Sequence, residues 1–256
     1  MKITILGSGT SQGVPVIACD CEVCKSSNSK DKRLRTSVLI EYKGKVVVID
    51  SGPDFRYQML RANVQRLDAL ILTHEHKDHI AGLDDIRAFN YKMKKKIPIY
   101  ATTHVQEHLK REFEYVFSGI NYPGIPEVEL HTITNNIPFT VAGLEFIPIE
   151  VLHYKLPVLG FRIKDFTYIT DANFIATDEM EKIKNTKTLI INALRKEKHI
   201  SHFTMNEAIN LIQELKPETA YLTHISHQLG LHDAINAELP PGIYCAYDGL
   251  EMEFDD

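Results

Sequence analysis

Apolar residues along this chain fall in short runs broken by turn residues, and the period of each run separates strand from helix. Lys2 to Leu6 alternates weakly and predicts a first strand. Thr36–Tyr42 and Lys45–Asp50 flank Lys43-Gly44 and predict a hairpin. Asp50-Ser51-Gly52-Pro53-Asp54 reads as a turn with a helix behind it to about Arg61. Ala69–Leu72 reads as a buried strand, and the residues from Ile80 as the start of a helix. Ile97–Tyr100 predicts a strand and Thr103–Phe117 a helix. Val128–Ile169 alternates short β-like runs with turns at Asn135-Asn136, Ala142-Gly143 and Lys164-Asp165. A short helix over Asp178–Ile183 and a strand over Thr188–Asn192 follow. Thr204-Met205-Asn206-Glu207 matches a capping box, opening a helix with Met205, Ala208, Ile209, Ile212 and Leu215 on its apolar face. Two last strands are expected around Tyr244 and Met252. Strands and helices intermixed in this way predict an α/β (α+β) chain. No long linker, low-complexity run or repeat divides it, so residues 1–256 are expected to form one domain.

Composition narrows the picture a little. A chain of 256 residues can bury a large core, and its net charge of −5 leaves no basic footprint for non-specific nucleic-acid binding. No apolar run is long enough to cross a membrane, and Met1–Leu6 leads straight into a Gly-rich turn rather than a signal peptide, so a soluble cytoplasmic protein is expected. That turn, Gly7–Pro15, lacks the spacing of a dinucleotide fingerprint and reads as a tight connection. The basic run Lys92–Lys96 reads as a solvated helix end, and Ser118–Pro126 as a surface connection.

The chemistry concentrates in Leu72-Thr73-His74-Glu75-His76-Lys77-Asp78-His79, at the strand-to-helix turn. Three of the 12 histidines and one aspartate lie within six residues there, a donor set that zinc-class cations accept. His74 and His76, two apart in an extended turn, can face one side; Asp78 and His79 can aim at a second ion. The spacing is not the four-residue one of helical zinc proteases. Cys19, Cys21 and Cys24 supply three more donors, too crowded for a disulfide framework, and suggest metal in a reducing compartment. Cys245 reads as core packing. His104 and His108 are four apart on a predicted helix, but no third ligand is in view, so they are placed on the surface. Asp50 reads either as an ordinary turn residue or as an acceptor that orients a ligand histidine.

His-x-His-x-Asp-His after a strand resembles the metallo-β-lactamase superfamily, which needs a later His, an Asp and a His at strand ends. His153 after Phe146–Val151, Asp171 after Phe166–Ile169 and His224 after Ala220–Thr223 match in that order. The resemblance implies a four-layer αββα sandwich. It also implies that His74, His76 and His153 hold one metal, that Asp78, His79 and His224 hold another, and that Asp171 bridges them. The catalytic pair would be two divalent ions, zinc or manganese.

Gly13-Val14-Pro15, the three-cysteine cluster, Leu222–Gln228, Leu239–Gly242 and Tyr247–Glu251 narrow the resemblance. They are similar to the branch containing the phosphoribosyl cyclic phosphate phosphodiesterase of phosphonate breakdown. It implies a structural zinc on Cys19, Cys21, Cys24 and His227, and hydrolysis of a small (cyclic) phosphodiester, such as phosphoribosyl cyclic phosphate, by a metal-bridged hydroxide. Asp78 and His202 are the expected catalytic residues, with His202 as general acid and His199 as its rival, and a homodimer is expected. Transfer-RNA 3′-end endonucleases share the metal set and the Gly-rich start. The biosynthetic relative in pyrroloquinoline quinone assembly shares the cysteine cluster. Thioester or lactam hydrolysis is the remaining alternative.

Overall fold

The computed structural model describes residues 1–119 and 122–255; residues 120 and 121 of the expected surface connection, and the final residue, lie outside them. The strands are β1 (Lys2–Gly7), β2 (Ser37–Tyr42), β3 (Lys45–Ile49), β4 (Ala69–Ile71), β5 (Ile97–Ala101), β6 (Val128–Thr132), β7 (Phe139–Val141), β8 (Leu144–His153), β9 (Leu156–Ile163), β10 (Phe166–Ile169), β11 (Phe174–Ile175), β12 (Thr188–Asn192), β13 (Thr219–Thr223), β14 (Ile243–Cys245) and β15 (Glu251–Glu253). The helices are α1 (Glu22–Lys25), α2 (Phe55–Arg61), α3 (Lys77–Ile80), α4 (Arg87–Met93), α5 (Thr103–Glu112), α6 (Glu114–Phe117), α7 (Thr177–Ile183), α8 (Met205–Leu215) and α9 (His232–Glu238).

One sheet runs β15-β1-β2-β3-β4-β5-β6, and the other β11-β8-β9-β10-β12-β13-β14 with β7 on β8. Strand parity sorts the side chains into layers. In β3, Val47 and Ile49 enter the core between the sheets, where they meet Phe146, Phe161 and Tyr168. Val46 and Val48 face the other way, onto Phe55, Phe89 and Leu109 of α2, α4 and α5. On the far side, Leu189, Ile191, Ala220 and Leu222 pack against Ala208, Ile212 and Leu215 of α8. The order is helix, sheet, sheet, helix, and strands buried on both faces explain the continuous apolar runs in the sequence.

Local chemistry accounts for most boundaries. The β2–β3 turn puts Lys43 and Gly44 at φ 46° and 72°, the positive values that a tight two-residue hairpin demands. Thr204 caps α8 through the expected capping box. Cys245 is buried in the helix-side core. α4 ends at Met93, so the basic run does begin at a helix terminus.

Two expectations change. The predicted helix over Thr103–Phe117 breaks at Phe113, which sits at φ −119°, ψ 45°. The run from Phe113 to Phe117 is rich in aromatic and β-branched residues, poor helix formers that here turn Phe113 and Phe117 onto the core. In the histidine-rich turn the helix begins at Lys77, not Ile80. The Gly52 backbone packs so closely there that an added Cβ would stand 2.0 Å from the Asp78 carbonyl oxygen.

The Gly-rich turn is tied across the molecule to the segment after β13: Ile225 N–H donates to Ser8 O at 2.9 Å and Thr10 N–H to Ile225 O at 3.1 Å. Beneath it Arg33 is buried, donating through Nη1 to Ser8 Oγ at 2.8 Å and through Nη2 to His232 Nδ1 at 3.1 Å. Burial, then the Arg33 charge, push His232 down to about 4. The unfolded value is about 6.5, so the folded chain binds fewer protons in the window between them, and stability falls as pH drops through it. In chemical melts, His232→Gln should cost stability at pH 7, and the gap to wild type should narrow by pH 4.5. A gap that widened on acidification would contradict this.

Candidate metal centre

Parallel pairing of β3 with β4, of β10 with β12 and of β12 with β13 brings several strand carboxyl ends to one side of the molecule. Open sheets place ligands outside such ends. Asp50 follows β3, Thr73–His79 follows β4, Asp171 follows β10, His202 lies on the segment after β12, and His224 follows β13. His153 closes β8 in the hairpin with β9. Asp50, Asp171 and His224 take φ values of 64°, 57° and 55°, a conformation costing about 1–3 kcal/mol for residues other than glycine. That three such residues converge here marks a site whose geometry the surrounding fold enforces.

The donor atoms assemble into two sets. His74, His76 and His153 bring theirs within 4.8 Å of one another, as do Asp78, His79, Asp171 and His224. Asp171 sits among the second set and beside His202: Oδ2 is 3.3 Å from His79 Nε2, and Oδ1 is 3.3 Å from His224 Nε2 and 3.2 Å from His202 Nε2.

Hydrogen bonds behind the rings decide where the imidazole lone pairs point. Asp50, wholly buried, accepts from His79 Nδ1 at 2.7 Å and from Thr73 Oγ1 and backbone N–H at 2.9 Å. Thr73 has thus spent its proton, so His74 Nδ1–H donates to Thr73 Oγ1 at 2.9 Å. By the same logic Thr170 Oγ1 donates to Asp171 at 2.5 Å and accepts from His224 Nδ1 at 3.4 Å. His153 Nδ1–H donates to the Ser201 carbonyl at 2.8 Å. Each of these rings therefore carries a proton on Nδ1 and turns its Nε2 inward. Nε2 of both His74 and His79 is buried and makes no hydrogen bond. Asp50 is thus an orienting acceptor, the second of its two sequence readings.

The electrostatics pull in opposing directions. Burial holds His74 well below the ordinary histidine range and brings His224 to about 4. Burial would do the same to His79, but Asp78, Asp171 and Asp50 together outweigh it and hold that ring well above the range. Burial would raise Asp171, yet His224 and His79 hold it well below the ordinary carboxylate value. A buried set of carboxylates thus demands positive charge, while His74 and His224 beside it resist protonation. Tetrahedral zinc with N and O ligands at 2.0–2.2 Å separates its ligand atoms by about 3.3 Å, the spacing found around Asp171. The residues fit divalent cations.

His202 and His199 are told apart by direction. His202 Nε2 faces Asp171, and its ring stacks on His224 at 4.9 Å and 15°. His199 stands behind it: His199 Nδ1 accepts from Ser201 N–H at 3.3 Å and lies 3.1 Å from His202 Nδ1. The structure therefore brings His202, not His199, to the cluster.

A second cluster joins Cys19, Cys21, Cys24 and His227, whose donor atoms lie within 4.8 Å of one another. His227 Nδ1 is 3.3 Å from both Cys19 Sγ and Cys21 Sγ. The His227 contact holds Cys21 down to about 6, a thiolate-favouring environment, while burial pushes Cys24 up to about 11. His227 and His224 share one segment after β13.

Sequence reading missed the supporting residues Thr73, Thr170, Ser201 and Asn192, whose side chain pins both the N–H and the carbonyl of Ala172 at 2.7 and 2.9 Å. Threonine directly preceding a ligand candidate at a strand end, as at 73 and 170, was the available signal. His104 is exposed as expected, but its Nε2 meets Glu75 Oε1 at 3.1 Å, a partner the spacing could not reveal.

The model of the β-lactamase superfamily domain matches residues 45–225, and the chain belongs to the metallo-β-lactamase superfamily. Within it the chain falls in the PhnP-like branch. A crystal structure described as a new diphosphatase from the PhnP family is 40% identical, with a TM-score of 0.92, over 99% of this chain and 96% of that one. Zn2+-bound PqqB from Methylobacterium extorquens, at 20% identity and a TM-score of 0.80, shares the fold over 99% of this chain and 100% of its own. A Porphyromonas gingivalis protein named octanoyltransferase is 42% identical over 258 residues, all of this chain and 52% of that protein. Ribonuclease Z of Staphylococcus epidermidis is 26% identical over 170 residues, 64% of this chain and 49% of the relative. The chain spans about half the length of these curated relatives. Among the described residues no helix is long and apolar enough to cross a membrane.

Proposed function

We propose that this chain is a binuclear metal-dependent phosphodiesterase acting on a small phosphodiester, with phosphoribosyl cyclic phosphate as the substrate class to test first. His74, His76 and His153 would hold one ion, Asp78, His79 and His224 the other, and Asp171 both. Cys19, Cys21, Cys24 and His227 would hold a structural zinc. When bound, the ion pair supplies a water of lowered pKa and positive charge for the phosphate oxygens.

The observation that carries the reading is His202 Nε2 at 3.2 Å from Asp171 Oδ1, the carboxylate between the ligand sets. A proton on that nitrogen stands where the leaving oxygen of a phosphate lodged against the cluster would depart. His202 gives that proton up as the bond to phosphorus breaks. His224 holds the ring plane from one side, and His199 with Ser201 holds Nδ1 from behind. Beside the site, a groove of about 500 Å³ lined by Leu156, Pro157, Ile133, Thr103 and Asn135 offers room for the organic group.

An alkoxide leaving group needs that proton and a nitrophenolate does not. His202→Ala should therefore slow alkyl phosphodiesters about 10²–10⁴-fold, with little effect on bis(nitrophenyl) phosphate. Equal slowing of both would count against the role. The second reading is acyl-thioester chemistry, favoured by the name of the Porphyromonas gingivalis relative, of which this chain matches 52%. Turnover of an octanoyl thioester without diester turnover would put that reading first.

A further inference from the structure

Among the described residues one cluster of metal-class donors lies outside the catalytic sets and the cysteine cluster. Glu75 stands between His74 and His76 in sequence, but its carboxylate turns away from them toward α5. There His104 and His108 are one helical turn apart, with ring centroids 4.9 Å apart. One donor atom from each of Glu75, His104 and His108 lies within 4.8 Å of the others. Glu75 Oε1 is 3.1 Å from His104 Nε2, close to the ~3.3 Å edge of a tetrahedral N/O zinc site. The Glu75 side chain is only 9% exposed, and its Oε2 is buried without a hydrogen bond. A buried carboxylate oxygen left unpartnered is costly, and it needs a cation that the His104 contact alone does not deliver to that oxygen.

We propose that Glu75, His104 and His108 form a further divalent-cation site of the zinc class, peripheral to the catalytic pair. The ligand set is two imidazoles and one carboxylate, so the remaining coordination positions face solvent beside exposed His104. The ion takes the place of the direct contact between His104 Nε2 and Glu75 Oε1. It ties α5 to the turn that carries His74 and His76. It also sits at the rim of the groove that His104 helps to line. Hard magnesium, which keeps its waters and prefers oxygen, should not compete. The site stands independently of the phosphodiesterase reading.

The test is zinc titration of the holoenzyme by calorimetry, after loosely held metal has been dialysed away. Wild type should take up one additional zinc per chain. His108→Ala should bind it at least about 10-fold more weakly, and the double variant His104→Ala/His108→Ala should not bind it. Glu75→Gln, which keeps the shape of the side chain, should also weaken uptake while leaving zinc at the cysteine cluster in place. No additional zinc in wild type, or unchanged affinity in the double variant, would overturn the proposal.

Discussion

Asp171→Asn is expected to lower diester turnover by at least about 10³-fold, the scale of a lost electrostatic anchor at a reacting centre. It should also cost the protein one or both catalytic ions. Among the described residues no other carboxylate lies against His79, His224 and His202 together, with oxygens 3.2–3.3 Å from each Nε2. An amide cannot supply the negative charge that those buried rings face. Metal analysis beside steady-state kinetics separates the two effects. Retained stoichiometry with retained turnover would remove Asp171 from the bridging position.

Cys21→Ser should act at a distance. Cys21 touches His227, three residues beyond His224 on the segment after β13, and that segment is tied to the Gly-rich turn through Ser8, Thr10 and Ile225. Losing a structural zinc ligand should release that ion, lower the melting temperature by several degrees and reduce catalytic-metal content together with rate, by about 10–100-fold as for lost supports of metal ligands. A variant with fewer zinc ions, a lower melting temperature and an unchanged rate would uncouple the two sites. Unchanged zinc content would show that the cysteines hold none.

Much of this was legible in the chain because local signals agreed with the fold. The β2–β3 hairpin declared itself through Lys43-Gly44, and α8 through its capping box and apolar stripe. The histidine-rich turn was conspicuous because its donors are neighbours in sequence. His153, Asp171 and His224 became visible only as an ordered set at strand ends, since any one of them alone reads as a core or loop residue. What stayed hidden depends on direction in space. His199 and His202 differ by three residues, and only the course of the chain between β12 and α8 turns His202 inward. Asp50 could have been an ordinary turn residue; its burial beneath Thr73 and His79 settles its contact. Glu75 and His104 are 29 residues apart, on separate elements that meet only once α5 has packed on the sheet.

The most direct measurement is hydrolysis of bis(nitrophenyl) phosphate against nitrophenyl phosphate, on protein whose tightly held metal has been counted. Diester hydrolysis well above monoester hydrolysis, with about three ions per chain, is the expected result: two at the catalytic sets and one at the cysteine cluster. Protein with both sets filled that leaves the diester untouched would contradict the phosphodiesterase reading.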